Sequence, residues 1–217
     1  MAVKRIGIFM HRFDGGGAEK MTILLANEMH RRGYKVTFIV RYNYGESKFL
    51  LDQDIPVIDM QVSEPSQIKK NVKNFLCLRK VLAGNDFDIL LSITAEMSQV
   101  AALATYFNPG RMPIVQVLHN TLSMETHSFQ KIRELLLPMT DRCMDGSIAV
   151  SEAVRQDYLR LCGADPRRVF TVYNQVLSPK VLEQARESVD HPWLADYREW
   201  KTLVMAGRLS YQKNNDL

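Results

Sequence analysis

Short apolar runs alternate along the chain with longer stretches in which apolar residues recur every three or four positions. Lys4–Met10 (KRIGIFM) reads as a buried strand, broken by HRFDGGG. Ala18–Arg32 follows with Met21, Leu24, Leu25 and Met29 on one stripe, the spacing of a helix with one buried face. Gly33 stands where a left-handed cap falls. Lys35–Arg41 is the next strand and Pro56–Met60 a weaker one. Ser66–Leu82 is a helix with Ile68, Val72, Phe75, Leu76 and Leu82 inward. Asp88–Ile93 (strand), Glu96–Phe107 (helix) and Ile114–Leu118 (strand) continue the alternation. Phe129–Leu137 is a short helix ended by Pro138, and Gly146–Val150 a strand. Ser151 caps a helix through Cys162, with Gly163 after it, and Val169–Tyr173 is a further strand.

Strands that are apolar at nearly every position are covered on both faces, which is the signature of a parallel sheet. Right-handed crossovers then make it a doubly wound, mostly parallel, Rossmann-like α/β sheet with helices on both faces. The tail differs. Leu177–Trp200 is charged and helical, with Pro179 and Pro192 as punctuation, and reads as a connector. Thr202–Ala206 (TLVMA) starts a new strand and GRLSYQKNNDL opens a loop into a helix. A strand, a loop and one helix start do not make a core. The expected organisation is a domain at residues 1–174, a connector at 175–200, and the truncated opening of a second domain at 201–217.

Composition narrows the class. The 217 residues are 46% hydrophobic, 24% charged and 9% aromatic, which excludes disordered, collagen-like and coiled-coil chains. Net charge is +4, too mild an excess to argue for nucleic acid, and we expect no such partner. Cys77, Cys143 and Cys162 are odd in number and form no C-x-x-C pair, so reduced thiols in a cytoplasmic protein are expected. The start of the chain lacks a signal-peptide pattern, and no apolar run approaches the roughly 18–20 residues of a spanning helix. The expected location is the cytoplasm or the inner face of the plasma membrane.

The charge is unevenly placed. Ser66–Leu82 carries Lys69, Lys70, Lys73, Arg79 and Lys80 and no acid, a local +5 that exceeds the chain's net +4. Two readings stand: a solvated helix face, or a surface that meets anionic lipid or an anionic acceptor.

Candidate chemistry lies at the strand ends. In an open parallel sheet, ligands sit at the carboxyl edge. Gly15-Gly16-Gly17-Ala18-Glu19-Lys20 joins the first strand to the first helix. Glycines there allow close backbone approach, and the helix start offers free N–H groups to an anion; a plain turn is the other reading. The dinucleotide fingerprint fails, because Lys20 replaces its third glycine and Val40-Arg41 replaces the ribose-binding acid. That leaves a dinucleotide-dependent oxidoreductase as a remote alternative. His119-Asn120 follows Ile114–Leu118 on the same edge, as a rim pair or as capping residues. Ser151-Glu152 is an N-cap and first-turn acid that also reaches the rim, and Asn174 ends the last strand. Asp52-Gln53-Asp54 and Asp86-Phe87-Asp88 read as solvated turns, and the five histidines lack metal-ligand spacing.

With these residues in hand, the sequence resembles the family 4 glycosyltransferases, which have the GT-B fold. GGGAEKMTILLANEMHRRGYKVTFI is similar to their first βα unit and second strand, and VLHN to their mid-domain histidine loop. SIAVSEAVRQDYL with VYNQV resembles their late strand–helix unit and crossover, and AGRLSYQKNNDL the start of their donor-binding domain. The resemblance implies an acceptor-side domain facing a nucleotide-sugar domain, and metal-independent transfer with retention, with no cofactor. It implies that Gly16 and Gly17 approach the donor diphosphate, that His119 contacts the donor sugar as the catalytic residue, and that Arg208 and Lys213 neutralise the leaving diphosphate. Glu19, Asn120, Ser151, Glu152 and Asn174 would line the cleft. The implied partners are a nucleotide sugar, UDP-linked in preference to GDP-linked, and a glycan or lipid-linked acceptor. Gln175 departs from the usual proline or glycine, and the family's paired glutamates are not in this chain. The chain alone is therefore expected to be inactive, and a non-catalytic acceptor- or partner-binding module is the alternative.

Overall fold

A computed structural model describes residues 4–63, 66–106, 112–124, 130–174, 179–192 and 203–205. The chain divides into two compact units, Met1–Asn174 and Gln175–Leu217. Among its described residues the first unit holds seven strands, β1 (Arg5–Met10), β2 (Lys35–Val40), β3 (Val57–Asp59), β4 (Ile89–Ile93), β5 (Ile114–Leu118), β6 (Gly146–Ala149) and β7 (Val169–Thr171). They form one sheet in the order β3-β2-β1-β4-β5-β6-β7, and every adjacent pair is parallel. Its helices are α1 (Gly17–Arg31), α2 (Gln67–Gly84), α3 (Ala95–Tyr106), α4 (Gln130–Cys143) and α5 (Glu152–Cys162).

The strand order reverses direction once, between β1 and β4, so this is the topological switch point where α/β sheets bind ligands. The two faces are covered unequally. Alternate β1 and β2 residues (Ile8, Met10, Phe38, Val40) pack with Ile23 and Ala26 of α1. Phe9, Ile39, Leu90 and Ile114 face Leu78 and Leu82 of α2 and Met97 and Ala101 of α3. Leu118 and Ala149 face α4 and α5 through Leu137, Val154 and Tyr158. On the α1 side, Phe170 of β7 lies beside Ile148 in register and remains exposed.

Local signals at helix ends hold. Ser151 Oγ accepts from the Val154 N–H at 3.3 Å, and Gly163 closes α5 with φ +61°. Gly33 has φ +87° just after α1.

Helix faces were harder to read. Leu24 and Leu25 are exposed, while Thr22, Ile23, Ala26 and Asn27 are buried. Small side chains let α1 close onto the sheet, and the polar ones are satisfied: Thr22 Oγ1 donates to Ala18 O at 2.8 Å, and Asn27 Nδ2 to Leu50 O at 2.7 Å. In α2, Val72 and Leu76 face solvent, and Asn74 and Leu78 are buried instead. α4 does not stop at Pro138 but continues to Cys143. Its last turn is anchored by tertiary bonds: Tyr158 Oη donates to Asp141 Oδ1 at 2.8 Å, and Arg168 Nη2 to Asp141 Oδ2 at 2.9 Å. Those bonds outweigh the lost backbone bond at Pro138.

Among the described residues of the second unit, α6 spans Pro179–Gln184 and is followed by turns, and Pro192 is helical again; 193–202 of the expected connector and strand lie outside the described residues. Leu203–Met205, inside the expected new strand, is exposed and not strand. The three cysteines are free and half-buried.

Candidate functional site

In an all-parallel sheet every strand exits at the same edge, so β1, β2, β4, β5, β6 and β7 deliver His11, Arg41, Thr94, His119, Val150-Ser151 and Val172 onward to one rim. Strands are spaced about 4.8 Å apart. His119 is therefore about 10 Å across the rim from the β1 exit, whereas Asn174, beyond β7, is roughly 19 Å away. The structure brings the glycine loop, His11, Thr94, Glu96 and His119 around the switch point; Ser151, Glu152 and Asn174 sit toward the far edge.

Gly16 caps α1 without a side-chain bond, with φ −70° and ψ 160°, and Gly17 is the first helical residue. A Cβ on Gly17 would meet nothing within 4 Å. Neither the fold nor a positive φ requires glycine there, and the space it leaves opens to solvent. At Gly16 a Cβ would instead strike the Glu19 carboxylate, which lies over the helix start. Glu19 is thus positioned by the dipole it complements.

The loop after β2 holds the glycine loop in shape. Phe13 N–H donates to Tyr44 O at 3.0 Å, Ser47 N–H to Phe13 O at 2.9 Å, and Ser47 Oγ to Asp14 O at 2.6 Å. Arg12 pairs with Asp14 at 2.7 Å and lies over the Tyr44 ring at 5.5 Å. Gly45, with φ +139°, lets the Phe13 backbone pass where a side chain would stand.

His119 is half-buried, and its Nε2 is buried with no hydrogen-bond partner among the described residues. Burial pushes its pKa below the ordinary value, so the ring is neutral near pH 7. A neutral imidazole with an unused ring nitrogen at a strand exit is equipped to exchange a hydrogen bond with a ligand. The preceding β4 exit is strained: Thr94 has φ +77°, rare for a β-branched residue, and its N–H reaches Val117 O at 3.1 Å.

Glycosyltransferase Family 4 is the family whose model matches, over residues 15–176, a span that runs from the glycine loop through the last strand of the sheet. The chain belongs to glycosyltransferase family 4. Solved structures agree on the fold. The lipopolysaccharide outer core galactosyltransferase WaaB superposes with a TM-score of 0.63 at 16% identity, over 80% of this chain and 46% of that one. Anabaena Alr3699/HepE, solved with UDP and glucose, superposes with a TM-score of 0.57 at 21% identity, covering 84% and 49%. A glycosyltransferase from Rickettsia africae gives 0.59 at 17%, covering 85% and 49%. At these identities the likeness is one of fold: this family 4 chain matches half of a GT-B structure, and spans about half the length of each of those chains. A search of curated proteins found no significant match.

Within this family 4 chain, Arg208 and Lys213 lie outside the described residues. Asn120 and Asn174 are exposed. Both Glu152 oxygens are engaged, Oε1 by Gln156 at 2.6 Å and Arg155 at 3.2 Å, and Oε2 by Thr171 Oγ1 at 2.8 Å. Those bonds hold its carboxyl below the usual range and tie α5 to β7. Asp86 and Asp88 pair with Arg5 at the amino edge, away from the rim. No group of three or more His, Cys, Asp or Glu capable of holding a metal occurs among the described residues.

Sequence reading missed His11, Arg41 and Glu96. Arg41 was visible only as the end of a strand and the wrong residue for a dinucleotide site, and Glu96 only as the first residue of a predicted helix. Their meeting at 2.8 Å joins positions 55 residues apart.

Proposed function

We propose that this chain is the acceptor-side half of a retaining hexosyltransferase that moves a sugar from a UDP-sugar to a glycan or lipid-linked acceptor in bacterial surface-glycan synthesis. The observation that carries this reading is the pairing, on one rim beside the switch point, of a glycine-led helix start, open at Gly17 and overlain by the Glu19 carboxylate at Gly16, with a His119 Nε2 that is buried without a partner among the described residues. Departure of UDP builds charge on the diphosphate. Backbone N–H groups at Gly16 and Gly17 would stabilise that charge without reorganisation, the role that the family resemblance also gives to Arg208 and Lys213. His119 would meet the donor sugar by hydrogen bonding through Nε2. HepE's complex with UDP and glucose, and WaaB's description as a galactosyltransferase, support a UDP-linked hexose. The test is transfer from UDP-glucose and UDP-galactose by the complete enzyme, with the product anomer read by NMR. Inversion, or full activity in His119→Ala, overturns the reading. Residues 1–217 alone should show little or no transfer.

The membrane-facing reading of α2 also belongs here. Lys69, Arg79 and Lys80 are exposed, and they flank the outward-facing Val72 and Leu76. The neighbouring helices add Leu103 and Tyr106 of α3 and Leu135 and Met139 of α4 to the exposed apolar surface. Each basic residue near an anionic surface contributes about 1 kcal/mol. Among the described residues no helix is long and apolar enough to cross a membrane, so attachment is peripheral in this reading. Co-sedimentation with phosphatidylglycerol vesicles but not phosphatidylcholine vesicles, lost in Lys69→Glu/Lys80→Glu, is expected; equal binding to both kinds overturns it.

A further inference from the structure

Glu96 is the second residue of α3, at the carboxyl rim beside the switch point. Its side chain is 56% exposed, yet Oε1 is held at 2.8 Å by Nη1 of Arg41, whose side chain is 3% exposed. The rest of that guanidinium is occupied from below: with its amide turned to suit, Asn74 Oδ1 accepts from Arg41 Nη2 at 2.6 Å and Nε at 2.7 Å. An apolar residue would fill the Arg41 site without the several kcal/mol that burying an ion costs. What the arginine delivers is a carboxylate fixed in direction, with Oε2 at the rim holding no hydrogen-bond partner among the described residues.

The surroundings suit a neutral polyol. His11 lies alongside: its carbonyl accepts from the Arg41 N–H at 3.0 Å, and its ring meets Tyr42 edge-on at 5.6 Å. Burial, the nearby Arg41 charge and Arg12 favour its neutral form, against the opposing pull of the Glu96 and Asp14 carboxylates. Thr94 holds the turn between β4 and α3 in its strained conformation two residues before Glu96. With Arg41 already neutralised by Glu96, no excess positive charge is offered here, and a phosphate would meet a carboxylate. Hydroxyl groups would meet an acceptor oxygen of fixed orientation.

We propose that Glu96 is an acceptor-recognition residue: Oε2, with the His11 imidazole beside it, receives hydroxyl groups of a neutral sugar ring at the β1–β4 rim, and Arg41 is the positioning residue beneath it. This rests on the transferase reading above and adds the residues that select the acceptor and the chemical class of ring they take.

The test uses isotopically labelled chain titrated separately with methyl α-D-glucopyranoside, methyl α-D-galactopyranoside and UDP, followed by amide shifts. At least one glycoside should shift Thr94, Glu96 and His11 saturably. Glu96→Ala should weaken that binding about 10-fold or more, the worth of a hydrogen bond to a charged group. Glu96→Gln, which still accepts from Arg41 and keeps the fold, should weaken it less, because a neutral acceptor bonds less strongly. Arg41→Lys should weaken binding in the parent but add nothing in the Glu96→Ala background; additive losses would make Arg41 merely structural. Unchanged glycoside affinity in Glu96→Ala overturns the proposal, as does the lack of any saturable shift up to tens of millimolar glycoside. Glycoside shifts confined to His119 and Gly15–Gly17 overturn it while leaving the transferase reading standing. Absence of UDP-sugar transfer by the complete enzyme, with Glu96-dependent glycoside binding intact, would strike only the transferase reading.

Discussion

Gly17→Ala separates a glycine kept for a ligand from a glycine kept for the fold. Gly17 opens α1, is exposed, and leaves nothing within 4 Å of a built Cβ. Alanine at a compatible glycine position stabilises by about 0.4–1 kcal/mol, mainly by restricting the unfolded chain. In a unit of this size that is a rise in Tm of roughly 1–4 °C. In the proposed function, the same methyl group would stand where a diphosphate oxygen approaches the helix start. A backbone bond to a charged group contributes about 1.5–3 kcal/mol, so its loss should weaken UDP-sugar use roughly 10- to 150-fold. Thermal unfolding of the chain and kcat/KM of the complete enzyme with UDP-glucose measure the two effects. A Tm that drops by more than about 2 °C would mean the fold needs this glycine. Unchanged kcat/KM would remove Gly17 from the donor site.

Other expectations follow from the same geometry. Gly45→Ala is the converse case: its φ of +139° and the overlap with the Phe13 backbone should cost roughly 3–5 kcal/mol, seen as a lower urea midpoint with shifted Gly15–Gly17 amides. Tyr158→Phe removes the donor to Asp141 while Arg168 still pairs with that carboxylate, so about 1–2 kcal/mol should be lost in urea unfolding, without change in the far-UV spectrum. His11 and His119 both have folded pKa values below the ordinary 6.5, so protons bind the unfolded state preferentially. Their contribution is fully present above pH 6.5 and declines as pH falls toward the folded values; the urea midpoint should drop between pH 7.5 and 5.5, less so in His119→Gln.

The carboxyl rim was legible because parallel strands leave no choice about which ends share an edge. Once the apolar runs were read as strands, Gly16, Gly17, His119, Ser151 and Asn174 had to fall on one side. Their grouping along that side was not legible, because strand order decides who neighbours whom. The order places β1 beside β4, so His11, Thr94 and Glu96 meet while Asn174 lies four strands away.

The sequence by itself determined the alternation of strands and helices and the caps at Ser151, Gly163 and Gly33, which depend on residues within a turn or two of one another, and the parallel character of the sheet, which follows from strands apolar on both faces. It also carried the family 4 resemblance. It did not determine which face of a helix turns inward. α2 has two apolar stripes, one through Val72 and Leu76 and one through Leu78 and Leu82, and local periodicity favours neither. The second is buried because its side of the helix carries Asn74, and Asn74 is required by the Arg41 guanidinium, just past β2, which cannot be buried unpaired. The persistence of α4 through Pro138 has the same origin, in bonds to Asp141 from Tyr158 and Arg168. In both cases a partner distant in sequence outweighed the local preference, and only the tertiary structure could bring it there.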